Sequence, residues 1–202
     1  TQPLDHIARA LDLSLNEAMD LVDDAKTKLY DVRLTRKPPI LDDKIIASWN
    51  GLMISAFAKG AAVLGRDDYL RSAQKAAEFA MEKLWDGQRL GRAWRMGKVR
   101  YDGYLDDYAF MIAGLLDLYE VSQNEKWLGA AVELQAVLDR DFKDSAGGYF
   151  FVAESKDNLL ARDKPAYDGA IPAGNSVEVL NLLRLSLLTG HSQYDAQARG
   201  TI

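Results

Sequence analysis

The stretch LDDKIIASWNGLMISAFAKGAAVLGRDDYLRSAQKAAEFAMEKL, residues 41–84, decides the fold class. From Asp43 to Leu64 its apolar residues, among them Ile45, Ile46, Trp49, Leu52, Met53, Phe57 and Leu64, cover most of a helical wheel, the pattern of a helix buried on several sides. Gly65 ends that helix, and Asp67 or Asp68 is placed to cap the next. In the second helix Leu70, Ala73, Ala77, Ala80 and Leu84 form one stripe, whereas Arg71, Gln74, Lys75, Glu78 and Glu82 form the other face. A buried inner helix is therefore followed by an amphipathic outer one. The same order returns at residues 105–121, the turn Ser122-Gln123-Asn124 and residues 127–138, and again at residues 177–188, Thr189-Gly190 and Ser192 onward. Each turn has an aromatic a few residues on, at Tyr69, Trp127 and Tyr194. The unit is an inner–outer helical hairpin repeated at about 60 residues.

Connection lengths then decide which helix ends lie together. The inner-to-outer turns are short, whereas the returns at residues 85–104 and 142–174 are long and rich in glycine and aromatics. Antiparallel neighbours put both returns on one face, at the N-termini of the inner helices. Long loops in a compact domain point to function. In the second return Gly147-Gly148-Tyr149-Phe150-Phe151-Val152 is expected to form a short strand or hairpin over this mouth, and the first, through Leu90, Ala93, Trp94, Met96 and Val99, to do the same. Three polar clusters converge there: Leu41-Asp42-Asp43 running into Trp49-Asn50-Gly51, Tyr104-Leu105-Asp106-Asp107-Tyr108, and Tyr167-Asp168-Gly169 running into Gly174-Asn175-Ser176.

Composition narrows the function classes. With 202 residues, 48% hydrophobic and 27% charged, the chain can bury a real core. A net charge of −5 argues against nucleic acid as partner, because phosphate-backbone binding rests on clustered Lys and Arg. The absence of Cys excludes a disulfide, a thiolate metal site and a cysteine nucleophile within these residues. No apolar run of about 18 residues and no leader pattern is present, so no membrane association is expected and the cytoplasm is the expected compartment. The chain starts at Thr1 and stops soon after a new helical pattern begins, which is expected of a piece of a longer protein.

Residues 1–40 read as a lead-in helical hairpin and connector, and residues 41–202 as the repeated hairpins, the last truncated. Ser14-x-x-Glu17 is a capping box that opens a helix through Ala18, Leu21, Val22, Ala25 and Leu29. Asp20, Asp23 and Asp24 argue against a DNA-reading helix, and Pro38-Pro39 stops the helix and extends the chain.

Five motifs follow one another in order: Arg36-Lys37-Pro38-Pro39-Ile40-Leu41-Asp42-Asp43-Lys44; Ser48-Trp49-Asn50-Gly51-Leu52-Met53-Ile54; Asp107-Tyr108-Ala109-Phe110 with Gly114-Leu115-Leu116-Asp117-Leu118-Tyr119; Gly147-Gly148-Tyr149-Phe150; and Asp168-Gly169-Ala170-Ile171-Pro172-Ala173-Gly174-Asn175-Ser176. Together they resemble the thioredoxin-domain-containing proteins of the bacterial YyaL and spermatogenesis-associated type, over nearly the whole chain. The resemblance implies an all-α fold: part of an α/α toroid of the six-hairpin glycosidase type, also seen in N-acylglucosamine 2-epimerases, with a short β-hairpin in a long loop. It also implies a separate thioredoxin-like domain absent from these residues, in agreement with the lack of Cys. On that reading the chain holds about half of a ring and exposes the apolar flanks of its inner helices, so it is expected to oligomerise or to associate with the missing half and with the thioredoxin-like domain.

The expected activity is sugar binding or glycoside-hydrolase-like processing at the mouth. Helix N-termini offer unpaired N–H groups to carboxylates, and hydrolysis needs an acid with a base or nucleophile. Asp43, Asp107 and Asp168 are the candidate catalytic carboxylates, Asp43 and Asp107 because they lie in the motifs that carry the resemblance. Asp42, Trp49, Asn50, Asp106, Tyr108, Asn175 and Ser176 are candidate sugar contacts, with Tyr104 and Trp94 as further stacking surfaces. Structural readings stand beside these. Asp42, Asp43, Asp106, Asp107, Asn175 and Ser176 also suit helix caps and first turns, Trp49 suits the interior of the ring, and Arg36 and Lys37 suit ion pairs with the carboxylates. A non-catalytic helical scaffold serving the thioredoxin-like domain is the alternative function. Only His6 and His191 are present, both expected away from the mouth, so histidine-based epimerisation is disfavoured; no metal or other cofactor is expected.

Overall fold

The computed structural model describes residues 3–154 and 161–202. The chain divides into two compact units, residues 1–42 and 43–202. In the first, α1 (Leu4–Ala10) and α2 (Leu15–Leu34) form a hairpin. The capping box is present: Ser14 Oγ accepts from the Glu17 N–H at 3.3 Å, and the Glu17 carboxylate accepts from the Ser14 N–H at 2.8 Å. The helix runs on to Leu34, five residues past Leu29, and ends before the two prolines.

The second unit is three helical hairpins: α3 (Ala47–Leu64) with α4 (Asp67–Lys83), α5 (Leu105–Ser122) with α6 (Glu125–Asp141), and α7 (Gly174–Thr189) with α8 (Ser192–Thr201). Each inner helix ends on a left-handed residue, Gly65, Gln123 and Gly190, which reverses the chain within a few residues. The three aromatics after these turns pack inward; Trp127 and Tyr194 are buried, and Tyr69 meets Phe57 edge-on. Arg66, not Asp67 or Asp68, occupies the cap position of α4, and both aspartates lie in its first turn, where they complement the helix dipole.

α5 is the axis of the unit. From Leu105 to Leu118 it is buried except at Asp106 and Ala113, with α3 on one side and α7 on the other. The α3–α5 contact is backbone on backbone, since a Cβ on Gly51 would overlap the Phe110 carbonyl and one on Gly114 would overlap the Gly51 carbonyl. Two levels of contact show that the inner helices run in the same direction. Near the N-termini the Ser48 N–H meets Asp107, and Gly174 packs on Asp106. Near the C-termini Asp117 accepts from Ser55, from Lys59 at 2.8 Å and from Arg184 at 2.8 Å, joining α3, α5 and α7 in one ionic network. On the sides away from α5, Trp49, Met53 and Val63 of α3 and Leu180 and Leu187 of α7 are exposed. Trp49, at 62% exposure, is therefore outside the packed interior where its apolar character suggested it would lie.

Both returns close over the inner N-termini. The first forms a three-stranded antiparallel sheet, β1 (Ile45–Ile46), β2 (Gly91–Arg95) and β3 (Lys98–Asp102), in which Ile46 pairs with Ala93 and Trp94 with Val99. Among the described residues the second makes a minimal hairpin: the antiparallel bridge Lys143–Tyr149, flanked by bonds from the Phe150 N–H to the Phe142 carbonyl at 2.8 Å and from the Asp144 N–H to the Gly148 carbonyl at 2.9 Å; residues 155–160 lie outside the described residues. Among the described residues no helix is long and apolar enough to cross a membrane.

Candidate functional site

The N-terminus of α5 gathers the mouth. Asp107 is fully buried, and its carboxylate accepts from the Ser48 N–H at 3.0 Å, the Tyr104 N–H at 3.0 Å and Arg92 at 3.2 Å. One side chain thus satisfies an orphan donor at the start of α3 and another at the start of α5, and ties both to β2. A carboxylate this enclosed holds the frame and presents no face to a substrate. Tyr108 is the companion strut: it is 2% exposed, its hydroxyl accepts from the Leu90 N–H at 2.8 Å, and burial pushes its pKa up to about 12. The cations paired with Asp43 and Asp107 are Arg95 and Arg92, both from β2.

The third cluster divides its work. Asn175 is nearly buried; its carbonyl accepts from the Tyr149 N–H at 2.8 Å, and its amide donates to the carbonyls of Tyr149 at 2.9 Å and Pro165 at 3.1 Å. It pins two points of the second return to α7. Asp168 accepts from the Ala173 N–H at 2.8 Å and from Ser176, and these bonds hold its carboxyl below the usual range. Asp168 and Ser176 close the entry to α7. Asn50 donates to the Ile46 carbonyl at 2.8 Å within the first turn of α3. Asp43, paired with Arg95, is half exposed, and Asp42 is exposed and belongs to the first unit.

Asp106 is placed differently from all of these. It stands between α5 and α7, where a Cβ on Gly174 would come within 2.6 Å of its Oδ1, so only glycine permits this approach. That oxygen is buried with no hydrogen-bond partner among the described residues. Burial, and then the neighbouring Asp107 charge, raise its pKa against the smaller opposing pull of the Gly174 N–H and of Arg92. Asp106 lines a cavity of about 360 Å³ together with Phe151, Asp163, Tyr167, Ile171 and Pro172, a volume within the range of small-molecule sites. The Phe151 ring lies 4.9 Å from the Tyr104 ring, and Arg92 stands over that same Tyr104 ring at 4.7 Å, so the aromatic wall is braced. Asp163 and Phe151 were not among the expected site residues; the Pro165–Tyr167 stretch after them carried no periodic signal that would have placed them here.

No family model matches the chain. By sequence it is 39% identical to human spermatogenesis-associated protein 20 over 204 residues, 95% of this chain, and 40% identical to the rat protein over 194 residues. The chain belongs to the spermatogenesis-associated protein 20 family. It spans about a quarter of those relatives, 26% of the human protein and 25% of the rat protein. In fold it is similar to a family 76 α-mannanase from Bacteroides thetaiotaomicron, with a TM-score of 0.59 and 18% identity over 83% of this chain and 44% of the enzyme. It is also similar to cellobiose 2-epimerase from Bacillus thermoamylovorans, with a TM-score of 0.64 and 18% identity over 78% of this chain and 43% of the enzyme. At that identity the likeness concerns the fold alone, which is part of an α/α toroid of the six-hairpin type.

Proposed function

We propose that the mouth binds a sugar in the cavity beside Asp106, as the recognition part of a carbohydrate-active toroid. The observation that carries this reading is Asp106 itself: a half-buried carboxyl with a raised pKa that lines the cavity with Phe151 and Tyr167. A sugar presents hydroxyl donors to such a carboxyl and an apolar ring face to such aromatics. The elevated pKa suits Asp106 to the acid role if glycosidic chemistry occurs, and Asp43 and Asp168, both accessible, are the residues from which a second carboxyl would come. Asp107 is assigned to the frame for the reasons given above. The exposed flanks on Trp49, Met53, Leu180 and Leu187 would be covered by further hairpins of the ring, so sedimentation of this chain alone should show self-association; a monomer at all concentrations would count against that cover.

The test is calorimetric titration of mono- and disaccharides into this chain and into Asp106→Asn. Saturable binding that weakens about tenfold or more in the variant is expected, since a hydrogen bond to a charged group contributes roughly 1.5–3 kcal/mol. Absence of binding to any sugar, or equal binding by the variant, would remove the proposal. Binding without turnover by the chain or its full-length relatives would favour the non-catalytic alternative, which the intramolecular bonds already made by Asp43, Asp107 and Asp168 support.

A further inference from the structure

Behind the mouth, α7 carries an acid in an apolar setting. Glu178 is fully buried, as are Gln135 of α6 and, at 1% exposure each, Asn181 of α7 and Tyr149 of the second return. The orientation of both amides is fixed by groups other than Glu178. Asn181 donates to the Ala109 carbonyl of α5 at 2.8 Å, so its NH₂ faces that way and also reaches Glu178 Oε2 at 3.2 Å. Gln135 spends both of its N–H bonds elsewhere, on Asp139 at 3.2 Å and on the Tyr149 hydroxyl at 3.3 Å. That hydroxyl in turn donates to Asp139 at 2.7 Å, and Gln197 of α8 donates to the other Asp139 oxygen at 3.1 Å. Reversing the Gln135 amide would set its oxygen against the Asp139 carboxylate, so its Oε1 is left toward Glu178. Two buried acceptors, Glu178 Oε1 and Gln135 Oε1, are thereby left without a donor among the described residues.

One proton removes both defects. We propose that Glu178 is protonated in the folded protein and donates its O–H to Gln135 Oε1, forming a neutral latch that fastens the second return to α6 and α7. The groups that face Glu178 are consistent with this: Gln135 and the anionic Asp139 from α6, the phenols of Tyr149 and Tyr194 from the second return and α8, Asn181 from its own helix, and a carbonyl of α5. None of them is a cation, and a buried carboxylate without one is costly. Burial outweighs the nearby amides of Asn181 and Gln135 and, with the Asp139 charge adding to it, pushes the Glu178 pKa up to about 8. The latch also bears on the mouth, because Tyr149 is the residue that Asn175 holds together with Pro165 of the cavity wall. It stands on this buried geometry and does not depend on sugar binding.

The proton fixes a sign. The folded chain keeps a proton that the unfolded chain releases near 4.5, so this group takes stability away as pH climbs from there to about 8 and has no further effect above. Glu178→Gln supplies an N–H to Gln135 at every pH and should abolish that slope. Thermal melts of the two chains across this window should diverge, the variant melting higher by an amount that grows on the order of 3 °C per pH unit and then levels off. Infrared difference spectra, wild type minus variant, should show the carbonyl stretch of a protonated carboxyl at neutral pH. Parallel melting curves, an ionised carboxylate in that spectrum, or failure of the isosteric variant to fold would each overturn the proposal.

Discussion

Asp107, on the α3 side of the α5 N-terminus, accepts from three donors and is sealed from solvent, whereas Asp106, one residue away on the α7 side, keeps a buried oxygen without a partner among the described residues and lines a cavity. The α3 side is also where Gly51 and Gly114 bring backbones into contact, leaving no space for a ligand. On the α7 side a glycine again permits close approach, but what it admits is a carboxylate. The same pair of acidic letters thus serves two purposes. The difference is one of balance: backbone N–H groups and a direct arginine contact outweigh burial at Asp107, whereas at Asp106 burial and the neighbouring Asp107 charge outweigh the Gly174 N–H and the more distant Arg92.

Substitutions can break this contrast in order of size. Asp107→Ala would strand two backbone donors and leave the half-exposed Arg92 unpaired; a loss of about 3–5 kcal/mol in denaturant unfolding is expected, and a loss under about 1 kcal/mol would show that the frame does not rest on it. Gly51→Ala forces a methyl into the α5 backbone, and the same assay should read about 1–3 kcal/mol of destabilisation. Asp106→Asn should be the mildest, within about 1 kcal/mol, with the variant favoured as pH rises through the carboxyl range, because a raised pKa makes the ionised form unfavourable to folding. A strongly destabilised Asp106→Asn would move that residue from the site to the frame.

Much of the architecture was legible because it is written in periodicity and loop length. The three inner runs and the short turns at Gly65, Gln123 and Gly190 followed from apolar spacing, and the placement of both returns at one mouth from connection lengths. Individual roles did not. An acid or amide near a helix N-terminus is wanted equally by a cap and by a site, so Asp168 read as catalytic and Asn175 as a sugar contact, and in the structure they hold Ala173, Tyr149 and Pro165. Trp49 read as interior because its wheel position cannot tell a side packed on α5 from the outer flank of α3. Glu178 was passed over inside an apolar run, although a lone acid three residues before Asn181 in such a run is itself a signal of a buried polar contact. The pairing of Arg92 with Asp107 joins a strand to a helix across a loop, and nothing local in the sequence encodes it.

The claim that the α7 side is the site and the α3 side the frame is tested most directly by following backbone amides by NMR while a disaccharide that binds is titrated in. Shifts should concentrate at Asp106, Phe151, Gly169, Ile171 and Ala173 around the cavity and leave Ser48 and Leu90 unmoved. Shifts centred on Ser48 and Leu90 instead would contradict the account.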